Sequence, residues 1–384
     1  MLTVALLLPL LPALSLAAAG PSSQEMYDLA ARRIGHGAPV SSNLHAKAVN
    51  MARAEGHAPN GWRKVRRERK RACSPDAAAA TSSSSSASSL ATQVALANTS
   101  TTTSSSSSAN SGSLLSWLFP VSSTASWTTS TDSSSALSFT GALKPLTAGS
   151  LPSTSTAPDG SSALIANFPA GTYGLNSANG QGFSFYTEGT HNGVNVEGAT
   201  EVLFSYSAYF PSGFDFVKGG KMPGLYGGTS LSEAKSCSGG RQTDRDQCFS
   251  ARLMWRTNGA GEFYNYYPTS VTQGGGYCST APYSICDTVY GDSIGRGSYS
   301  WATGKWTTVA QRLKLNDVGS ANGEQTLWVD GVQIMDLNGL EIITQSSKIY
   351  GIMAQTFFGG SDSSWDSPTD QSVWFKDWSL AVIA

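Results

Sequence analysis

The sequence predicts an all-β fold, a β-jelly roll sandwich preceded by a disordered Ser/Thr-rich stalk, on three observations. From about Ser161 onward short alternating segments recur: EVLFSYSAYF (Glu201 to Phe210), KWTTVAQRLKL (Lys305 to Leu315), TLWVDGVQIMDL (Thr326 to Leu337) and SVWFKDWSLAVI (Ser372 to Ile383). Such alternation is the pattern of half-buried strands. Glycine punctuates the region, and Asp330-Gly331 between two such runs is a hairpin signal. No stretch there sustains a helical period. Short strands with frequent turns over roughly 220 residues suit a sandwich or jelly roll, and that length can bury a full core.

In chain order, residues 1–20, MLTVALLLPLLPALSLAAAG, read as a secretory signal peptide. The apolar run is short for a bilayer and ends in small residues, although the usual preceding positive charge is missing. No later run reaches about 18 apolar residues, so no membrane insertion of the mature chain is expected. The expected location is secreted or extracellular, in association with a cell wall or free, where disulfides persist.

Residues 21–71 form a basic, propeptide-like segment; 11 Lys or Arg fall within 22–71. The cluster WRKVRRERKR (Trp62 to Arg71) is of a kind that can bind nucleic acid or heparin. Lys70-Arg71 after a signal peptide reads better as a dibasic processing site. Residues 72–160 are a Ser/Thr-rich low-complexity linker, too poor in apolar residues to offset the entropy of ordering it. Its composition suggests an O-glycosylated stalk, and Asn98-Thr99-Ser100 is an N-glycosylation sequon. The patch LLSWLFP (Leu114 to Pro120) interrupts it without an assignable function.

The formal net charge of -1 excludes a general attraction to nucleic acid or anionic membrane. From Ser161 to Ala384 there are 13 basic and 19 acidic residues. A domain of that balance can bind a polyanion only by gathering its cations in one cleft. Of the five cysteines, Cys237, Cys248, Cys278 and Cys286 lie in this domain. They allow three pairings, of which the local ones, Cys237–Cys248 and Cys278–Cys286, are simplest. A zinc site would want a CxxC or several histidines, and His191 is the domain's one histidine. Cys73 is left over.

The candidate chemistry centres on Tyr209 to Tyr267. In FSARLMWR, alternation puts Phe249, Ala251, Leu253 and Trp255 on an apolar face, with Ser250, Arg252, Met254 and Arg256 on the other. After the turn TNGAG, Glu262, Tyr264 and Tyr266 share a face. Pairing Arg256 with Glu262 would set Arg252 opposite Tyr266, and Ser250, Arg252, Tyr264 and Tyr266 would line one polar surface. Upstream, Lys221 sits in GGKMPG, three residues after Lys218, where glycine permits close backbone approach. No GxxxxGK[ST] pattern supports phosphate binding.

Lysine, arginine and two tyrosines on one concave sheet suit β-elimination of a uronic acid polymer. A cation neutralises the carboxylate and so acidifies the proton on carbon 5. A tyrosine with cations beside it can remove that proton, and an acid protonates the leaving oxygen on carbon 4. This chemistry requires no cofactor and no metal. Hydrolysis would need two carboxylates about 5–10 Å apart, and no ExDxxE-like pattern occurs; Glu262 reads as a rim residue or a partner of Arg256. Two other classes remain, a jelly roll that binds acidic glycan without cutting it and a wall protein that adheres.

YFPSGFDFVKGGKMPGLYGG, SARLMWR, YNYY, WVDG and the C-terminal FFGGSDSSWDSPTDQSVWFKDWSL resemble polysaccharide lyase family 14, especially its fungal-type members, over roughly Ser161 to Ala384. The resemblance implies a β-jelly roll acting on alginate or glucuronan. It implies catalytic roles for Lys221, Ser250, Arg252, Tyr264 and Tyr266, with Met222 replacing the commoner leucine of the lysine segment. Lys218, Arg256 and Asn265 complete the expected set as substrate-binding residues. The expected partner is an acidic polysaccharide, bound by a monomer. The loop between Lys221 and Ser250 is longer than the family pattern and carries Cys237 and Cys248, which leaves the identity of the polymer open.

Overall fold

The computed structural model describes residues 112–384, apart from 148–149, 176–180, 188 and 236. The expected signal peptide, the basic segment with Lys70-Arg71, Cys73 and the Asn98 sequon lie outside the described residues.

The described chain enters through α1 (Leu114–Leu118), β1 (Ala125–Thr128), α2 (Phe139–Leu143) and β2 (Thr154–Thr156). It continues with β3 (Ser162–Phe168), β4 (Phe183–Tyr186), β5 (Thr190–His191), β6 (Val194–Asn195), β7 (Glu201–Phe210) and β8 (Gly219–Gly228). After α3 (Leu231–Lys235) come β9 (Cys248–Arg256), β10 (Ala260–Tyr266), β11 (Asp292–Ser300) and β12 (Lys305–Lys314). The last strands are β13 (Gly323–Val329), β14 (Val332–Leu340), β15 (Lys348–Phe358) and β16 (Gln371–Val382).

Two large antiparallel sheets result, beside the small β5-β6 pair. One runs β14-β13-β12-β7-β16-β3-β2, with β1 also paired to β16; the other runs β11-β10-β9-β8-β15-β4. The chain passes between these two sheets at β3 to β4, from β4 through β5 and β6 to β7, and at β7 to β8, β11 to β12, β14 to β15 and β15 to β16, which makes a jelly-roll sandwich. Alternation decides what lies between the sheets. Phe249, Ala251, Leu253 and Trp255 of β9 all enter the core, as their spacing predicts. There the Trp255 ring meets Phe168, Phe210 and Phe358 edge-on, at 6.0, 5.6 and 5.4 Å, a favoured aromatic geometry. The Asp330-Gly331 hairpin forms between Val329 and Val332. Both turn residues have positive φ, 49° and 77°, as a tight two-residue turn matched to strand twist requires.

The linker boundary expected after residue 160 falls inside the folded unit, which already holds α1, β1, α2 and β2 before that point. Trp127 of β1 pairs with Leu380 of β16 and is buried in the core. Leu118, in the LLSWLFP patch and the last residue of α1, is fully buried, and its carbonyl accepts a bond from the Ser205 hydroxyl. Phe119 and Val121 cover Leu203, Ala310 and Ala381 on the outer face of the first sheet. In α2, Ala142 and Leu143 are buried, and Ala142 O contacts His191 Nε2 at 2.5 Å. Composition hid this strap because a few well-spaced apolar residues suffice to dock it. Among the described residues no helix is long and apolar enough to cross a membrane.

Candidate active site

The outward face of the second sheet carries the candidate site. β9 lies between β8 and β10. Tyr264 pairs with Arg252, Tyr266 with Ser250 and Glu262 with Met254. The predicted face is right and the predicted pairing is two residues off: Arg252 faces Tyr264, not Tyr266. The turn Thr257–Gly259, with Asn258 and Gly259 at φ 61° and 76°, closes the hairpin so that Trp255 meets Gly261. A slip of two keeps every side chain on its face. On the other side Lys221 pairs with Met254, and Gly224 with Arg252 beyond a bulge at Pro223. Gly224 is required by close approach: a Cβ there would lie 2.0 Å from Ala251 O and 2.5 Å from Arg252 Cα.

Lys221, Ser250, Arg252, Tyr264 and Tyr266 thereby come together. Lys221 Nζ sits 3.1 Å from Met254 Sδ and 3.9 Å from the centre of the Tyr264 ring. The Tyr264 and Tyr266 rings meet edge to face at 5.8 Å. The Arg252 guanidinium is 5.6 Å from the Tyr266 ring and donates through Nη1 to Gln355 Oε1 at 2.9 Å. Arg252 is 1% exposed, yet its Nε and Nη2 find no acceptor among the described residues. The Ser250 hydroxyl donates to Cys237 O at 2.9 Å and so fastens β9 to the disulfide loop.

Both disulfides close in the local pairing, Cys237–Cys248 and Cys278–Cys286. Cys237 and Cys248 pack in one cluster with Met254, Tyr264 and Tyr266. The loop they tie therefore forms a wall of the site. Alongside it, Tyr226 and Tyr186 pack under Ala234 of α3.

Glu262 is fully buried. It accepts from Arg256 Nε and Arg296 Nε, both at 2.7 Å, and from the Ser293 hydroxyl at 2.5 Å. Burial alone would raise its carboxyl, but Arg256, Arg296 and the Ser293 bond outweigh it and hold the group below its ordinary value. The residue is thus the expected partner of Arg256, but it is not a solvated rim residue. Arg256 lies 5.6 Å from the Tyr264 ring. Lys218 stands at the rim, bonded to the Ser364 hydroxyl at 2.6 Å and 5.9 Å from the Trp365 ring.

Asn265 is corrected. One residue out of phase with Tyr264 and Tyr266, it points between the sheets, where its amide exchanges bonds with Gln325 of β13 at 2.6 and 3.1 Å. It is fully buried there and does not face the cleft. Two residues on the cleft side escaped the sequence reading. Gln355 links Arg252 to the Ser184 hydroxyl through its amide; its signal was an amide within the largely apolar run GIMAQTFF. Arg245, in the disulfide loop, places its guanidinium 4.5 Å from the Tyr266 ring. No periodicity in that loop marks it. Among the described residues no three His, Cys, Asp or Glu side chains gather as a metal site would need.

The family model described as Polysaccharide lyase 14 matches residues 156–378. The crystal structure of the marine PL-14 alginate lyase from Aplysia kurodai is similar at 33% identity and a TM-score of 0.53, covering 60% of this chain and 86% of that one. An alginate lyase from Chlorella virus is 22% identical, with 60% and 89% of the two chains covered and a TM-score of 0.47. The endo-β-1,4-glucuronan lyase of the fungus Trichoderma reesei is 12% identical, with 62% and 93% covered and a TM-score of 0.37. No curated protein matches the chain.

Proposed function

The chain belongs to polysaccharide lyase family 14, and from that premise we propose a secreted enzyme that cleaves a β-1,4-linked polyuronate by β-elimination. The observation that carries this reading is Arg252. A buried guanidinium with two nitrogens that find no acceptor among the described residues is costly to keep. A substrate carboxylate would satisfy it with charge-assisted bonds. Neutralising that carboxylate lets the electron pair of the C5–H bond delocalise as the proton leaves.

The tyrosine pair carries the proton traffic. A phenolate oxygen takes the C5 proton, the C4=C5 double bond forms, and the C4–O bond breaks. The departing oxygen receives a proton from a phenol. Lys221, 3.9 Å from the Tyr264 ring centre, stabilises negative charge developing there. Gln355 holds Arg252 in place, and Ser250 fixes the wall beside Tyr266. Hydrolysis is disfavoured because Glu262, on the same face, is committed to two arginines and has no proton to give near neutral pH. Alginate is the first polymer to try, given the 33% identity to an alginate lyase; glucuronan is the second.

Lys221→Ala and Arg252→Ala in the full chain test the assignment. Each should lower turnover by about 10²-fold or more, as loss of a preorganised charge does. The melting temperature of Lys221→Ala should stay near that of the parent. Normal turnover in either variant would remove that residue from the mechanism.

A further inference from the structure

We infer that Arg245 is a second carboxylate-reading residue of the cleft, holding a uronate adjacent to the one held by Arg252. This rests on the polyuronate reading above and extends it to the recognition of a neighbouring sugar.

Arg245 opens the short turn Arg245–Gln247 that leads into Cys248 and β9. It therefore belongs to the loop that the Cys237–Cys248 disulfide ties against the two tyrosines. The side chain is 4% exposed, and its Nε and Nη1 are buried with no acceptor among the described residues. The acid that interacts with it, Asp292, is engaged elsewhere. One carboxylate oxygen accepts from the Asp287 backbone N–H at 2.9 Å and the other from the Tyr277 hydroxyl at 3.3 Å. Arg245 thus resembles Arg252: a guanidinium taken out of water with donors unused. Two such residues against one ring are difficult to explain by packing alone, because each unmet donor costs free energy.

Their placement fits a polymer with a carboxylate on every sugar. Arg245 lies 4.5 Å and Arg252 5.6 Å from the centre of the Tyr266 ring, so the two guanidinium carbons are no more than about 10 Å apart. Consecutive uronates on one chain can present carboxylates across such a span. The loop is also braced for the task, since Asp246 accepts from the backbone N–H groups of Thr269 and Ser270 at 3.0 and 3.3 Å. Arginine suits the role because its planar fork grips a carboxylate in two places.

The test is calorimetric titration of the full chain carrying Lys221→Ala, in which turnover is expected to be slowed, with an oligouronate and with the same oligosaccharide reduced at its carboxyls. Adding Arg245→Gln should weaken oligouronate binding about 10-fold, the scale of one charge-assisted contact. It should leave the reduced, uncharged glycan unaffected. Arg245→Lys keeps the charge but loses the fork, so it should fall between; should Arg245→Gln melt early, the lysine variant decides alone. Unchanged oligouronate affinity in a folded variant, or equal loss for both glycans, would overturn the assignment. The two readings fail separately. Elimination by the otherwise unaltered chain with KM unmoved by Arg245→Gln sinks Arg245 alone, whereas no elimination and no oligouronate binding sinks both.

Discussion

Replacing Glu262 with glutamine separates a structural carboxylate from a catalytic acid. The substitution keeps the shape and removes one charge from a fully buried group that accepts from Arg256, Arg296 and Ser293. An amide can still accept from Arg256, but its NH2 would face the Arg296 and Ser293 donors. Breaking a buried pair by neutralising one partner costs about 3–5 kcal/mol. For a domain of this size that lowers the melting temperature by roughly 6–20 °C. The pH dependence has a definite sign. The folded carboxyl is held below its ordinary value of 4.5, so its stabilising contribution is complete above that value and is lost as pH falls through the lower folded value. The gap between the parent and Glu262→Gln should therefore be widest near neutral pH and close on acidification. Scanning calorimetry at several pH values measures it, with turnover followed well below the melting range. Turnover should stay within about 10-fold of the parent, since one general acid is typically worth 10²–10⁴. An unchanged melting temperature with turnover abolished would refute this account and favour hydrolysis through Glu262.

Other expectations follow from particular contacts. A Cβ at Gly291 would lie 2.6 Å from Tyr266 Cε2 and 2.8 Å from Tyr264 Cε1, so Gly291→Ala should displace both rings and lower kcat about 10- to 100-fold, read as initial rates. A chain starting at residue 161 would lose Leu118, Trp127 and Leu143, each worth about 1.5–3 kcal/mol when buried. It should melt on the order of 10 °C below a chain starting at residue 112, and equal melting would show that the strap is dispensable. Burial pushes the Asp292 carboxyl up to about 6, above its ordinary 3.8. The folded state then holds the proton more tightly than the unfolded, so ionisation costs stability as pH rises from about 4 to 6. Asp292→Asn should gain about 2–3 kcal/mol over the parent above pH 6 and nothing near pH 4, by urea titration.

Period-two alternation made much of the site readable. It placed Ser250, Arg252, Tyr264 and Tyr266 on one face because Phe249, Leu253 and Trp255 had to go inward. Turn geometry set the pairing, and a slip of two residues leaves alternation unchanged, so the partner of Arg252 was misread while its face was not. Asn265 was placed against the phase of its own strand, and the phase prevailed. Arg245 and the docking of Leu118 and Trp127 lay beyond such reasoning. One sits in a loop held by a disulfide rather than by a repeat, and the others in sequence whose Ser/Thr content masks a few decisive apolar residues.

The central claim is elimination, and its product distinguishes it. The full chain should be incubated with alginate and separately with glucuronan, following the ultraviolet absorbance of the conjugated unsaturated uronate together with new reducing ends. The account predicts that both signals rise in step on at least one polymer. Reducing ends without the absorbance would mean hydrolysis and would contradict the roles given to Arg252, Tyr264 and Tyr266.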